Sequence, residues 1–306
     1  MVCFSYIGSG PYCYSNSFAM MMGASAPSTA VIEFATGSPF GMQLVDGSLP
    51  FFDPYGWTPE AGFDDALSVL GWESNVMNGQ DAEHALTCLR DALQRGPVWV
   101  GPVEMGHLRH QPGKTGPIGA DHYVVILEIS DTHVLMHDPE GYPYASLPIA
   151  DFMNAWRADS LDYGDAYTMR TDFRRVRQVA EEDVLRAAIP IALHWLSMRG
   201  NAHLTPRTIG NGHAAEQLAL RIERGCSDGL RDHLIQFAVR VGARRANDAS
   251  LCLERIGLTE AAKVSSTQAR LIGSLQYQLV SGDDAGAAEA LRRLAPTYEA
   301  LAHLLR

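Results

Sequence analysis

The sequence predicts an α+β fold, in which helices precede a largely antiparallel sheet and an α-helical domain follows. Residues 1–172 hold most of the Pro, Gly and aromatic residues, with short apolar runs between turn signals. Residues 175–306 are rich in Ala, Leu, Arg and Glu at helical spacing. The order of the elements differs from strict βαβ alternation, which excludes a doubly wound sheet. We therefore expect two domains, 1–172 and 175–306.

Apolar periodicity and stop signals locate the helices. In the first domain the pattern predicts a helix over 15–22, capped by Ser15 or Asn16. Residues 34–47 show little periodicity, which predicts a loop with a short strand. The remaining helices are predicted over 62–70, 82–95, 151–158, 181–198, 212–224, 229–246, 258–280 and 285–303.

Three strands are predicted over 98–103, 122–129 and 132–137, and a last one over 166–170. A short turn at 130–131 joins the second strand to the third. Pro139 has no N–H to donate to a ladder, so the third strand should stop at Asp138. The second and third strands should then form a hairpin.

Composition and charge exclude several functions. The 306 residues include 24 basic and 35 acidic side chains, for a net charge of −11. Such a surface repels phosphate backbones and anionic membranes, so we expect neither nucleic acid nor membrane as a partner. The five cysteines form no CxxC pair, and neither a secretory signal nor a membrane span is recognisable, which favours a cytoplasmic protein. The absence of GxGxxG and Walker A motifs predicts no nucleotide cofactor.

Cys13 is the first candidate for chemistry. It follows a Gly-Ser-Gly-Pro loop and precedes a predicted helix. The helix dipole and the N–H groups at a helix start favour the thiolate and can also hold an oxyanion. The alternative is a buried, inert thiol, and we expect that role for Cys3, Cys88, Cys226 and Cys252.

His122 and Asp138 are the candidates for base and orienting residue. His122 opens one strand of the predicted hairpin and Asp138 ends the other, so the pairing should make them near neighbours. A carboxylate there could fix the imidazole tautomer and stabilise its charged form. The alternatives are a strand-end histidine bonded to backbone and an aspartate that caps the turn before Gly141. A Cys at a helix start, a His at a strand start and an Asp on the paired strand follow the chain order of papain-like enzymes.

The run PYCYSNSFAMMMG resembles the cysteine helix of C39-peptidase-like proteins. The runs GPVWVGPVEMGHLRH, DHYVVILEI and HDPEGYPYASLPIADFMNAWRA are similar to the N-terminal domain of the butirosin-biosynthesis acyltransferase family. The resemblance covers 8–158 and extends loosely into the helical half. It implies a papain-like fold and transfer of an aminoacyl group from an acyl carrier protein to an amine. The family's triad would correspond to Cys13, His122 and Asp138.

The sequence departs from C39 peptidases before the cysteine. Those peptidases carry a Gln there that helps to form the oxyanion hole, whereas this chain reads SYIGSGPY. The donors are then expected to be backbone N–H groups, or the side chains of Ser9, Tyr12 or Asn16. This difference argues against a strict peptidase.

A polar, Gly- and Pro-rich loop lies just before His122 and could be a lid or an acceptor-binding loop. Glu104, His107 and His110 are therefore candidates for substrate contact. With His137 they could also hold a metal, but the loop lacks a helical HExxH pattern, so we expect none.

Three hypotheses follow from these residues. The leading one is an acyltransferase that passes an acyl group from a carrier-protein or coenzyme A thioester, through acyl-Cys13, to a small-molecule amine or hydroxyl. The acceptor could be internal, giving a cyclic product. The second is a peptidase, amidase or thioesterase with the same triad. The third is a non-catalytic binding module. The helical half is expected to pack against the first domain, form a homodimer or line the substrate site.

Overall fold

The computed structural model describes residues 7–198 and 207–306, which form two compact units. Each unit is assembled from two separate stretches of chain. The first contains residues 1–29 and Gly71–Arg177, and the second contains Ala30–Leu70 and Gln178–Arg306. Cys3 lies outside the described residues.

The secondary structure is mixed. The helices are α1 Cys13–Met22, α2 Thr29–Ala35, α3 Pro59–Leu70, α4 Ala82–Leu93, α5 Ile149–Arg157, α6 Glu181–Leu196, α7 Asn211–Glu223, α8 Asp228–His233, α9 Val239–Arg255, α10 Thr259–Ser281 and α11 Asp284–Leu304. The strands are β1 Gln43–Val45, β2 Leu49–Phe51, β3 Trp72–Asn78, β4 Val98–Glu104, β5 Asp121–Ile129, β6 His133–Asp138, β7 Tyr142–Pro148, β8 Thr168–Arg175 and β9 Ile209–Gly210.

In the described part of the first unit, six strands form one antiparallel sheet in the order β3-β8-β4-β5-β6-β7. Successive side chains of a strand point to opposite faces, so each face has its own core. Val98 packs on one face with Leu89 of α4 and Trp156 of α5. Its neighbour Trp99 stacks on Phe18 of α1, with 5.0 Å between the ring centroids. This stacking fixes α1 against the sheet that carries His122.

In the second unit, α7 packs against α11, and α10 packs against both α9 and α11. The buried positions of these helices are largely Ala and Leu, for example Ala215, Leu218, Leu275 and Leu291. A small antiparallel sheet, in the order β2-β1-β9, belongs to the same unit. The first half of the chain supplies β1 and β2.

The α+β prediction is confirmed as a mixed fold with an antiparallel sheet and a helical C-terminal region. The units divide the chain differently from the expected domains 1–172 and 175–306, because Ala30–Leu70 belongs with the helices. A buried ion cluster explains this. Arg245 Nε of α9 lies 2.8 Å from Glu33 Oε1, and Arg245 Nη1 lies 3.2 Å from Asp53 Oδ2.

Some elements depart from the sequence prediction. Residues 34–47 contain the predicted short strand, β1, but they also contain the end of α2, which was not predicted. Strands β3 and β7 were not predicted, because β3 is a largely exposed polar edge strand and β7 contains two prolines. The helix expected over 229–246 is α8 and α9 joined by a π-turn, and α9 continues to Arg255.

Candidate active site

Cys13 is the first residue of α1, and it is partly exposed. Backbone N–H groups of a first helical turn point off the end of the helix, towards the space beside this side chain. The preceding residue, Tyr12, has a left-handed backbone with φ 87°, and Ser9 and Gly10 also have positive φ. The chain therefore turns sharply into the helix at the cysteine.

The helix start corrects the sequence prediction. The helix begins at Cys13 rather than at residue 15, and neither Ser15 nor Asn16 caps it. Tyr12 occupies the N-cap position, and its carbonyl accepts the N–H of Asn16 at 2.8 Å. The sulfur is therefore inside the first turn, where the positive end of the helix dipole acts most strongly.

The structure brings His122 and Asp138 together. Nε2 of His122, near the start of β5, lies 2.7 Å from Oδ1 of Asp138, the last residue of β6. Val125 pairs with His137 in this hairpin, so the beginning of one strand lies beside the end of the other. Both side chains are buried. Asp138 therefore holds one ring nitrogen of His122.

Cys13 contacts the same imidazole, because its side chain shares a hydrogen bond with His122. Asp138 holds Nε2, so Nδ1 is the nitrogen left for the sulfur. Burial by itself would lower the pKa of His122. The charge and hydrogen bond of Asp138, followed by the interactions with Cys13, outweigh burial and raise this pKa well above its ordinary value. A protonated imidazole beside the sulfur favours the thiolate.

At least four donors converge on the carboxylate of Asp138. Oδ1 accepts from His122 and, at 2.8 Å, from the backbone N–H of Glu140. Oδ2 lies 2.7 Å from Nε2 of His110 and accepts from Nε2 of Gln111 at 2.7 Å. Burial by itself would raise the pKa of Asp138, but the charge of His122 and these hydrogen bonds lower it far below its usual range. Asp138 is therefore a charged acceptor at neutral pH.

Glu104, a predicted substrate contact, binds the loop between β4 and β5. Its carboxylate is buried and accepts the backbone N–H groups of Gly106 at 2.9 Å, Ile118 at 3.0 Å and Gly119 at 3.0 Å, together with the hydroxyl of Ser160. Burial would raise the pKa of Glu104, but these bonds lower it. The side chain holds both ends of the loop between β4 and β5.

The other predicted contacts have mixed positions. Ser9 is exposed, and its backbone N–H donates to the carbonyl of Pro139 at 2.7 Å, which ties the cysteine loop to the turn after Asp138. The ring of Tyr12 and the side chain of Asn16 are buried, and the Asn16 amide reaches the carbonyl of Pro11 at 3.5 Å. His107 is half buried in a short 3-10 turn. None of these positions identifies an oxyanion donor among the described side chains.

Gln111 is the site residue that the sequence analysis missed. It follows His110 in the loop, and that position was the available signal. Sequence spacing cannot report the fold of a loop without periodicity. Nε2 of His110, a predicted substrate contact, binds Asp138, and the substrate contact itself stays a prediction.

The remaining described cysteines are free thiols in other surroundings. Burial raises the pKa of the Cys226 thiol and raises that of Cys252 to about 12, which disfavours the reactive thiolate in both. Cys88 is half buried, with its sulfur 3.5 Å from Nε2 of His84. Nδ1 of His84 accepts the backbone N–H of Gln80. The first unit thus holds a second Cys–His pair, in which backbone rather than a carboxylate binds the ring.

Among residues 7–198 and 207–306, no helix is long and apolar enough to cross a membrane. The same ranges contain no group of three or more His, Cys, Asp or Glu arranged to hold a metal ion. His137 is buried, and its Nδ1 accepts the backbone N–H of Tyr144 at 3.0 Å.

The site is thus a cysteine, a histidine and an aspartate in contact on an α+β unit. Residues 205–306 match the model of the YobF C-terminal domain family. Over 296 residues the chain is 26% identical to the uncharacterized protein YobF of Bacillus subtilis (strain 168), an alignment that covers 95% of this chain and 94% of that protein. The similarity therefore extends through both units.

Proposed function

We propose that the protein is a cysteine-dependent acyltransferase. One observation carries the proposal: Cys13, at a helix start, is hydrogen-bonded to a buried histidine whose other nitrogen is bound to a buried aspartate. Such a chain of contacts supplies a nucleophile, a base and a group that orients the base. The order of the three residues on helix, strand and paired strand favours a papain-like fold for the first unit.

The first half-reaction would form an acyl enzyme. The Cys13 thiolate attacks the carbonyl carbon of a thioester, and the developing oxyanion is stabilised by backbone N–H groups at the start of α1. The carbon–sulfur bond to the donor then breaks. His122, protonated beforehand, gives its proton to the departing thiolate, which leaves as a thiol.

The second half-reaction would use the same residues in reverse. Neutral His122 takes the proton of an amine or hydroxyl acceptor as that group attacks acyl-Cys13. The bond to sulfur breaks, and Cys13 returns as a thiolate beside protonated His122. Asp138 keeps its charge throughout and stabilises the imidazolium. An internal acceptor would give a cyclic product, and water in place of the amine would make the enzyme a thioesterase.

A thioester donor is proposed in preference to a peptide because of the residues before the cysteine. The sequence SYIGSGPY contains no Gln to complete a peptidase oxyanion hole. A thioester is intrinsically more electrophilic than an amide, and it needs less help at the oxyanion. We therefore propose an acyl carrier protein or coenzyme A thioester as donor and a small-molecule amine or hydroxyl as acceptor. The four described cysteines are free thiols, in keeping with a cytoplasmic location.

Intact-mass spectrometry tests the proposal. The protein is mixed with acyl-pantetheine, acyl-coenzyme A and acyl carrier protein thioesters, quenched in acid and weighed. We expect an acyl adduct on the wild-type protein that is lost in Cys13→Ala and kept in Cys88→Ala. The Cys88 variant is the matched control because it removes the other histidine-paired thiol of the first unit.

The alternatives give different results in the same samples. Cleavage of a peptide library without thioester labelling would indicate a peptidase, and rapid loss of the adduct to water would indicate a thioesterase. An adduct of equal size on Cys13→Ala would refute Cys13 as nucleophile. If no donor acylates the protein and Cys13 reacts with iodoacetamide no faster than a model thiol, a binding module is the better description.

A further inference from the structure

The loop between β4 and β5 carries two side chains to the carboxylate of Asp138. His110 and Gln111 both reach Oδ2, each with a nitrogen 2.7 Å away. The opposite oxygen, Oδ1, is taken by His122 and by the N–H of Glu140. A carboxylate offers about four lone-pair positions, and two strong bonds on each oxygen prevent it from rotating.

This loop is built as a rigid support. Glu104 clamps the backbone at 106, 118 and 119, and the N–H of Gly116 donates to the carbonyl of Gly106 at 3.1 Å. A Cβ at position 106 would collide with the backbone carbonyl oxygen of Gly116. The close approach of these two segments of the loop therefore requires glycine at position 106. Leu108 is fully buried in the core of the first unit. The loop is therefore anchored immediately before His110.

We propose that His110 and Gln111 are positioning residues that fix Asp138 in the orientation in which it holds His122. The inference rests on the proposed function for its catalytic meaning, but the contacts themselves do not require turnover. The expected lid or acceptor-binding loop is then, at these two residues, part of the support for the triad. The side chain of His110 is 8% exposed and turns its Nε2 towards Asp138, away from solvent.

Two opposite effects must be separated. If His110 and Gln111 only dilute the charge of Asp138, their removal should strengthen the hold of the carboxylate on protonated His122. If they position the carboxylate, their removal lets it rotate, and the hold weakens. The titratable groups that face this centre are His122 from β5, Cys13 from α1 through His122, and His110 from the loop. Tyr142 of β7 lies edge-on to His110, with 5.5 Å between the centroids.

The test compares His110→Phe, His110→Gln and Gln111→Met. Phe and Met keep the volume but remove the donor, whereas the amide of Gln can replace Nε2 of His110. His133→Phe is the control, because His133 is exposed at the far end of β6. Iodoacetamide alkylation of Cys13 is followed by peptide mass spectrometry from pH 5 to pH 9, and Cys88 in the same samples reports the integrity of the unit.

We expect His110→Phe and Gln111→Met to slow Cys13 alkylation about fivefold at pH 5 and to leave it unchanged at pH 9, because the loss concerns the protonated imidazole. His110→Gln and His133→Phe should behave as wild type. In an Asp138→Asn background, His110→Phe should have no further effect, since it acts through that carboxylate. The imidazole of His122, followed by NMR, should lose its proton at a lower pH in His110→Phe.

Three results would each overturn the positioning role. They are faster Cys13 alkylation at pH 5, a higher pKa of His122, and an undiminished effect of His110→Phe on alkylation in the Asp138→Asn background. So would unchanged Cys13 and His122 profiles in both donor-less variants. The result is separable from the proposed function. If acyl adducts form but the Cys13 and His122 profiles of these variants do not change, the acyltransferase proposal survives and the positioning role fails. If the profiles change but no acyl adduct forms, the positioning role survives and the acyltransferase proposal fails.

Discussion

Asp138→Asn changes the centre of the site with almost no change in volume. The substitution replaces one acceptor oxygen by an NH₂ group and removes the charge. The described contacts place two donors on each oxygen, from His122 and the Glu140 N–H on one side and from His110 and Gln111 on the other. Either orientation of the amide therefore points NH₂ at two donors.

The magnitude follows from the state of the sulfur. Without the carboxylate, His122 loses the interactions that raise its pKa, and Cys13 approaches an ordinary thiol. Such a thiol has a pKa of about 8.5, so only about 0.03% is thiolate at pH 5. A thiolate of higher pKa is intrinsically more nucleophilic, which offsets roughly 10-fold to 100-fold of this loss. Alkylation of Cys13 at pH 5 should therefore fall about 30-fold or more.

The pH profile is the decisive assay. Iodoacetamide rates for Cys13 are measured between pH 4 and pH 10 in wild type and Asp138→Asn, with Cys88 as internal reference. The variant should be much slower in acid and as fast as wild type, or faster, at pH 9, so that the two profiles cross. General unfolding would change Cys88 as well and would not produce a crossing.

The same substitution should alter the pH dependence of stability. The folded pKa of Asp138 is lowered, so its contribution to the free energy of unfolding is present above about pH 3.9 and is lost as the pH falls further. The folded pKa of His122 is raised, so its contribution is present below about pH 6.5 and is lost as the pH rises through the folded value. In urea titrations at different pH values, the free energy of unfolding of Asp138→Asn should lack both of these pH dependences. The assigned role of Asp138 would be refuted if wild type and Asp138→Asn had parallel alkylation profiles and the same pH dependence of the free energy of unfolding.

Two further predictions concern the supports of each unit. Glu104→Gln should lower the melting temperature and slow Cys13 alkylation in acid, because the loop that carries His110 loses hydrogen bonds to the Glu104 carboxylate. Calorimetry measures the first effect and the iodoacetamide assay measures the second. An unchanged alkylation rate would contradict the connection between Glu104 and Cys13. Arg245→Leu should reduce the free energy of unfolding by about 3–5 kcal/mol, because Glu33 and Asp53 become buried charges without their cation. Arg244→Leu is its control in urea titrations, since its helical pair is worth only about 0.3–0.5 kcal/mol; equal losses would show that the cluster is not the cause.

Cys13, His122 and Asp138 could be predicted as site residues because each lies at the end of a helix or strand that the local sequence pattern predicts. Cys13 precedes an apolar helical pattern, His122 opens an apolar run, and Asp138 stands before a proline. Hairpin pairing is a local rule, so it also predicts that the last two are neighbours. Three separate local patterns therefore define one constellation.

Other features depend on contacts that no local pattern encodes. Gln111 meets Asp138 only through the folded loop, and this loop has no helical or strand periodicity. Glu33 and Arg245 are 212 residues apart in sequence, and their pairing assigns Ala30–Leu70 to the helical unit. The local sequence does not distinguish these two charged residues from exposed ones. Once buried, they must pair, because neither charge is stable in the core without the other.

The two Cys–His pairs of the first unit isolate what the carboxylate contributes. Cys88 lies 3.5 Å from Nε2 of His84, and the second nitrogen of that ring accepts the backbone N–H of Gln80. In the other pair the second nitrogen of His122 binds the buried carboxylate of Asp138, whose charge and hydrogen bond raise the pKa of His122. Proximity of sulfur to imidazole is common to both pairs, so we expect any difference in the reactivity of Cys13 and Cys88 to come from the group bound to the other ring nitrogen. The difference lies in the far nitrogen, and a reactivity contrast between these two thiols at acidic pH therefore measures the electrostatic work of Asp138 and the loop that holds it.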